Sequence, residues 1–245
     1  MTTVRILHTS DVHGRLHMLQ GDHEFDAWID TGDFFSNSPQ LHNEPGWRHE
    51  HERAWQREQF AALDIGGQIT RMLAGRPFVY VPGNHDYVEL DELLPGVDVR
   101  RVRADRTFDL LGLTVGGFAG IPWMVGYWNH ELQAPDMRVL VDQCLDRPIE
   151  LLVTHAPAGG ILDGLPRMNR YGIDHLSYRL SWGTYHRVKY HFFGHIHERG
   201  GEIEDRETSR PGMERVVRHF NGACHVAVHA LEIPDADIGM AKVTG

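Results

Sequence analysis

Short apolar runs recur along the chain at Val4–Leu7, Phe25–Ile29, Phe78–Val81, Leu113–Val115, Ile149–Val153 and Tyr190–Phe193. Most are rich in β-branched or aromatic residues and stop at Gly, Pro, Asp or Asn, which is the pattern of buried strands. Between some of them lie segments of helical character. The clearest runs from about Glu52 to Leu73, where Trp55, Phe60, Leu63, Ile69 and Leu73 recur near the helical period. Strands separated by helices predict an α/β sheet. Phe35–His51 fits neither period. It is polar, contains Pro39 and Pro45, and carries His42, His49 and His51. It reads as a long surface loop, a length uncommon without a function. Glu202–Gly212 is charged and turn-like and reads as a link between late strands. Val216–Phe220 and Val226–Ile233 alternate like antiparallel strands. No repeat, low-complexity tract or domain boundary is visible. The expectation is one domain over residues 1–245 with an insertion at about 35–51.

Composition narrows the classes. A chain of 245 residues with 41% hydrophobic and 9% aromatic content has the make-up of a globular protein. The formal charge of −10 argues against long nucleic acid as a partner, since that wants a basic face. It leaves a small phosphate substrate open, because bound metal ions would dominate the field inside a site. Two cysteines, Cys144 and Cys224, make neither a disulfide framework nor a zinc ribbon. The start Met1–Leu7 has no charged region followed by a long apolar core, so no signal peptide is expected. Together these predict a cytoplasmic protein. Leu110–Trp128 carries no charge and is long enough to raise a membrane question. Its five glycines, Gly112, Gly116, Gly117, Gly120 and Gly126, and its one proline, Pro122, break it, so it reads as a buried strand, a turn and a loop. No membrane contact is expected.

Candidate chemistry sits directly after the strand-like runs. Val4–Leu7 leads into Ser10-Asp11-Val12-His13-Gly14, and Phe25–Ile29 into Gly32-Asp33. Phe78–Val81 leads into Gly83-Asn84-His85-Asp86, Ile149–Val153 into His155, and Tyr190–Phe193 into Gly194-His195-Ile196-His197. Ligand sites of α/β sheets lie beyond the carboxyl ends of the strands, so parallel strands would gather these loops at one edge. Asp, His and Asn offer mixed oxygen and nitrogen ligation, which suits Mn, Fe, Zn, Co or Ni better than an all-oxygen Ca site. Each motif alone has a bland reading as a turn or a hydrogen-bonded structural residue. The full series in this order does not.

The series resembles the calcineurin-like metallophosphoesterase superfamily, whose signature is Asp-x-His, Gly-Asp, Gly-Asn-His-(Asp/Glu), His and Gly-His-x-His. The matched motifs span residues 11 to 197. The resemblance implies a four-layer α/β/β/α sandwich of two mixed β-sheets flanked by helices, in place of a single open sheet. It implies two divalent metal ions, with Mn favoured. Asp11, His13 and His197 would hold one, Asn84, His155 and His195 the other, and Asp33 would bridge them. A hydroxide bridging the ions would attack phosphorus. His85 would sit near the leaving group, and Asp86 would orient His85. The segment between His13 and Asp33 is short for a crossover helix, so the first helix of the family is expected to be reduced or missing.

The start Ile6-Leu7-His8-Thr9-Ser10-Asp11 is similar to that of two-domain 5′-nucleotidases, which are longer than this chain. Thr154–Asp163, Phe193–Glu198 and Asn221-Gly222-Ala223 resemble a small phosphodiesterase subgroup acting on cyclic nucleotides. The expected substrate is a phosphodiester of a small nucleotide, with 2′,3′- or 3′,5′-cyclic forms as candidates. A phosphomonoesterase or protein phosphatase is one alternative, and a non-catalytic metal-binding scaffold is another. Remaining features take bland readings first. His49-Glu50-His51-Glu52 reads as a solvated helix start rather than a third metal site. Trp123, Tyr127 and Trp128 read as loop packing before base stacking. Nothing separates Tyr87, Arg15 or His17 from chance neighbours of the motifs. The oligomeric state leaves no signature.

Overall fold

The structure is a computed structural model that describes residues 2–39, 45–164, 171–182, 186–209, 211–212 and 214–233. In chain order the elements are β1 (Thr2–Ser10), β2 (Ala27–Asp30), α1 (Pro45–Ala62), α2 (Ile65–Leu73), β3 (Phe78–Tyr80), α3 (Leu90–Leu93) and β4 (Val99–Arg101). They continue with β5 (Phe108–Leu110), β6 (Leu113–Phe118), β7 (Ile121–Pro122), β8 (Glu131–Leu132), α4 (Ala134–Leu145) and β9 (Leu151–Thr154). The last are α5 (Asp174–Trp182), β10 (Tyr190–Phe193), β11 (Ile203–Glu207), β12 (Val216–Asn221) and β13 (His225–Ile233).

Two large sheets form, in the orders β13-β1-β2-β3-β4 and β11-β12-β10-β9-β6-β5. Both are mixed. β1 to β4 run parallel with β13 antiparallel at one edge. β6, β9, β10 and β12 run parallel between antiparallel β5 and β11. The central strands are apolar on both faces because both faces are covered. Alternation then sends successive residues to different layers. Ile6, Ala27, Ile29 and Val79 pack between the sheets against Val115, Leu151, Val153 and Phe192. Their neighbours Leu7, Trp28, Phe78 and Tyr80 face outward onto Phe60, Ile65, Ile69 and Leu73 of α1 and α2. On the far side, Leu152 and Phe193 meet Met137, Val141, Leu145, Leu176 and Leu180 of α4 and α5. The result is the expected helix–sheet–sheet–helix sandwich.

Several boundaries differ from expectation. The segment read as a loop over 35–51 is helical from Pro45 onward, while residues 40–44, including His42, lie outside the described residues. The single helix expected over Glu52–Leu73 is two, broken at Asp64, whose φ of 47° leaves the helical region. Glu202–Gly212 contains strand β11, an edge strand whose charged Glu204, Asp205 and Arg206 suit an exposed edge. Val216–Phe220 and Val226–Ile233 are both strands, but they belong to different sheets rather than to one pair. Between His13 and Asp33 only a 3-10 turn, Leu16–Leu19, replaces a helix. Leu110–Trp128 resolves into strands and loop, and no helix among the described residues is long and apolar enough to cross a membrane.

Candidate metal centre

The strands ending in the motifs are neighbours in two stacked sheets, and their carboxyl ends point the same way. The loops are tied together by backbone hydrogen bonds. Asp11 N–H donates to Gly32 O at 2.8 Å and His13 N–H to Asp33 O at 2.9 Å, joining the loops after β1 and β2. Gly194 N–H donates to His155 O at 2.9 Å, joining the loops after β9 and β10. His195 N–H donates to Asp11 Oδ2 at 2.9 Å, joining the two sheets. A Cβ at Gly32 would lie 2.6 Å from Gly83 N and 2.7 Å from His155 Nδ1, and Gly32 sits at φ 101°, so only glycine lets these loops close up.

Two groups of donors converge. The ligand atoms of Asp11, His13 and His197 lie within 4.8 Å of one another, and so do those of Asp33, His155 and His195. Asn84 Oδ1 stands 3.1 Å from His155 Nε2, beside the second group. All seven residues named from the motifs are therefore brought to one edge. Asp11, His13, Asp33 and His195 have left-handed backbones, with φ of 54°, 47°, 55° and 68°. Such conformations are costly for non-glycine residues and gather where function requires them.

The electrostatics suit cations. Asp11 and Asp33 are fully buried carboxylates, which burial disfavours. Imidazoles outweigh the burial: His197 and His155 hold the Asp11 carboxyl below its usual range, and His155 and His85 hold Asp33 well below it. Burial pushes His155 down, but the Asp33 carboxylate 3.3 Å away carries it up to about 10. His195 is pushed down to about 4 by burial and by His155. The donors are carboxylate oxygen, imidazole nitrogen and one amide oxygen, the mixed set that borderline divalent metals take. The residues fit two such ions.

A cavity of about 290 Å³ opens onto this edge and is lined by Asp33, Asn84, His85, Trp128, Tyr171 and His195 among others. The sequence profile of the calcineurin-like phosphoesterases matches residues 4–199, which covers every one of these ligand positions. The chain belongs to the calcineurin-like phosphoesterase family. It is also 31% identical over 102 residues to metallophosphoesterase domain-containing protein 1 of Homo sapiens and to its Mus musculus counterpart. Those matches cover 40% of this chain and 31% of each relative, so the chain aligns with about a third of their length. Membership in the calcineurin-like phosphoesterases implies metal-dependent hydrolysis of phosphoesters.

The remaining candidates fall into place unevenly. His85 Nε2 faces Asp33 Oδ2 at 4.0 Å, on the cavity side. Asp86 was expected to orient the His85 ring, but its carboxylate accepts from the backbone N–H groups of Asp33 (2.8 Å), Phe35 (3.0 Å) and Gly83 (2.8 Å). It fastens the loops after β2 and β3, and burial with Asp33 nearby pushes it up to about 7. Asn37 Oδ1, not Asp86, meets His85 Nδ1. Trp128 lies 4.3 Å from His85 between ring centroids and Tyr171 lies 6.4 Å from His195, so two aromatic rings stand at the cavity. Trp128 packs against the core beside α4, as expected of it, and also lines the cavity. Trp123 and Tyr127 do not line this cavity. Arg15 donates to the carbonyls of Val12 and Asp11 and so holds the first loop. Tyr87 is buried against His49, away from the cavity lining. Glu52 is fully buried, contrary to the reading of a solvated helix start.

Proposed function

We propose that this protein is a phosphodiesterase for small nucleotides, with the seven motif residues as ligands of two divalent ions. The observation that carries the reading is the convergence of two donor triads, each within 4.8 Å, on a cavity that also holds an imidazole and two aromatic rings. When bound, two divalent ions supply water activation near neutral pH and charge stabilisation on phosphoryl oxygens. The chain's residues do the rest. Asp11 and Asp33 neutralise part of the ionic charge and leave the site attractive to an anion. His85 Nε2, facing the cavity, is placed to hold a proton for the departing oxygen. Trp128 and Tyr171 offer flat faces on which a nucleobase can stack. The motif stretches Thr154–Asp163 and Phe193–Glu198 support a cyclic nucleotide as the diester.

The test is parallel turnover of bis-p-nitrophenyl phosphate and p-nitrophenyl phosphate by Mn²⁺-loaded protein, with Asp33→Asn as control. Diester turnover that vanishes in Asp33→Asn is expected, followed by turnover of 2′,3′- or 3′,5′-cyclic nucleotides. Monoester turnover alone would move the protein to the phosphatases. Bound metal with neither activity would favour a scaffold.

A further inference from the structure

From Arg48 to Gln56 the buried face of α1 is polar, before Phe60 joins the core. Arg48, Glu52 and Gln56 recur every four residues and so lie along one face of the helix. All three are buried, at 2%, 0% and 1% exposure. Residues of this kind are rarely buried without partners, and here the partners belong to the catalytic loops. The Arg48 guanidinium stands 4.6 Å over the Trp128 ring and donates to Tyr127 O at 3.1 Å. Gln56 Nε2 donates to His85 O at 2.6 Å, and its Oε1 accepts from Tyr87 N–H at 2.8 Å. Glu52 accepts from Ser38 N–H at 2.8 Å, Ser38 Oγ–H at 2.5 Å and Asn37 Nδ2–H at 3.2 Å.

These contacts constrain a proton. A carboxylate only accepts, so the edge of the Asn37 amide that faces Glu52 is its NH₂. The other edge, Oδ1, faces His85 Nδ1 and also only accepts. Nδ1 must therefore carry a hydrogen, and Nε2 is left toward the cavity. The ring is held on its flanks by His13, 4.8 Å away edge-on, and by Trp128.

We propose that Asn37, oriented by Glu52 of α1, is a positioning residue that fixes the tautomer and direction of His85 for proton transfer to the leaving oxygen. The inference rests on the phosphoesterase reading for its chemistry. As the P–O bond breaks, its electron pair passes to the leaving oxygen, which takes the proton from His85 Nε2. The imidazole is then neutral with its hydrogen on Nδ1, the tautomer that Asn37 accepts. A neutral amide does this without adding a further carboxylate to Asp11, Asp33 and Asp86.

The first test needs no activity. In the metal-free full chain, the ¹⁵N shifts of the His85 ring, assigned by their loss in His85→Gln, should report a hydrogen on Nδ1. Asn37→Ala should turn this into a mixture of tautomers. A neutral ring with its hydrogen on Nε2 and none on Nδ1 in the unmodified protein would overturn the proposal, even if phosphoesterase activity is strong. The second test separates leaving groups. In Asn37→Ala, kcat on an alkyl phosphodiester should fall by roughly 10–100-fold, the usual cost of losing a residue that orients another. Its KM, its metal content and its turnover of nitrophenyl esters should change little, because a good leaving group needs no proton. An equal loss on both ester classes, or loss of metal, would make Asn37 merely structural. If the unmodified protein hydrolyses neither class, the phosphoesterase reading fails, while the ¹⁵N result still decides the role of Asn37.

Discussion

Histidines at the loop edge and histidines in the interior share a residue type and little else. At the edge, His13, His155, His195 and His197 stand against the carboxylates of Asp11 and Asp33. In the interior, the ring of His8 packs edge-on to Phe192 at 4.8 Å, and at the margin that of half-buried His229 lies 4.5 Å from Phe220. On the other side of the second sheet, His191 Nδ1 meets His219 Nδ1 at 3.0 Å, and His191 Nε2 meets Thr154 Oγ1 at 2.8 Å. Burial pushes His8 and His191 well below the usual imidazole range, and His219 and His229 down to about 4. These rings serve as neutral packing, and His8, His191 and His219 also take part in hydrogen bonds. What makes a ligand is therefore the company of buried carboxylates at strand ends and a backbone bent to present them.

The contrast can be broken by removing its parts. The largest effect should come from Asp33→Asn, which takes the carboxylate from the donor group it forms with His155 and His195. Diester turnover should fall by more than it does in His85→Ala. His85→Ala should cost roughly 10²–10⁴-fold on esters with poor leaving groups, the usual worth of a general acid, and should keep its metal. Loss of metal in His85→Ala, measured by elemental analysis, would make His85 a ligand rather than a proton donor. Trp128→Ala should raise KM for nucleotide esters by roughly 5–100-fold, the range for losing one stacked base. Its kcat for bis-p-nitrophenyl phosphate should hold within a few fold.

The interior set predicts the smallest effect, on stability alone. In the folded state His219 and His229 resist protonation down to about pH 4, whereas an unfolded histidine takes its proton near pH 6.5. Between those values the unfolded chain binds more protons, so stability should fall as the pH drops through that window. Thermal midpoints measured from pH 7.5 to 4.5 should decline, and His229→Phe should make the decline shallower. An unchanged slope would show that His229 is not held neutral.

The strand-end motifs were legible because the chemistry lies in short contiguous stretches, each announced by an apolar run. Asp11, His13, Asp33, Asn84, His155, His195 and His197 could be named before any geometry. The support behind them could not. Helix α1 shows no apolar stripe toward the site, because the face it buries carries Arg48, Glu52 and Gln56, and a periodicity test sees only hydrophobic faces. Its first turns therefore passed for loop. Strand β11 was hidden by its charges, which an edge strand tolerates. Asn37 is one amide in a polar stretch, and only its position between Glu52 and His85 distinguishes it. The role expected of Asp86 went astray for a related reason. Neighbours in sequence suggest contact, yet the Asp86 carboxylate turns away from His85 and back onto the backbone of the adjoining loops.

The central claim is that the loop edge, and not the interior, holds two divalent ions. The most direct test is metal stoichiometry. Protein stripped with chelator and titrated with Mn²⁺ should bind two ions per chain, Asp33→Asn should bind fewer, and His229→Phe should still bind two. One ion or none in the unmodified protein, or loss of ions in His229→Phe with the edge intact, would contradict the account.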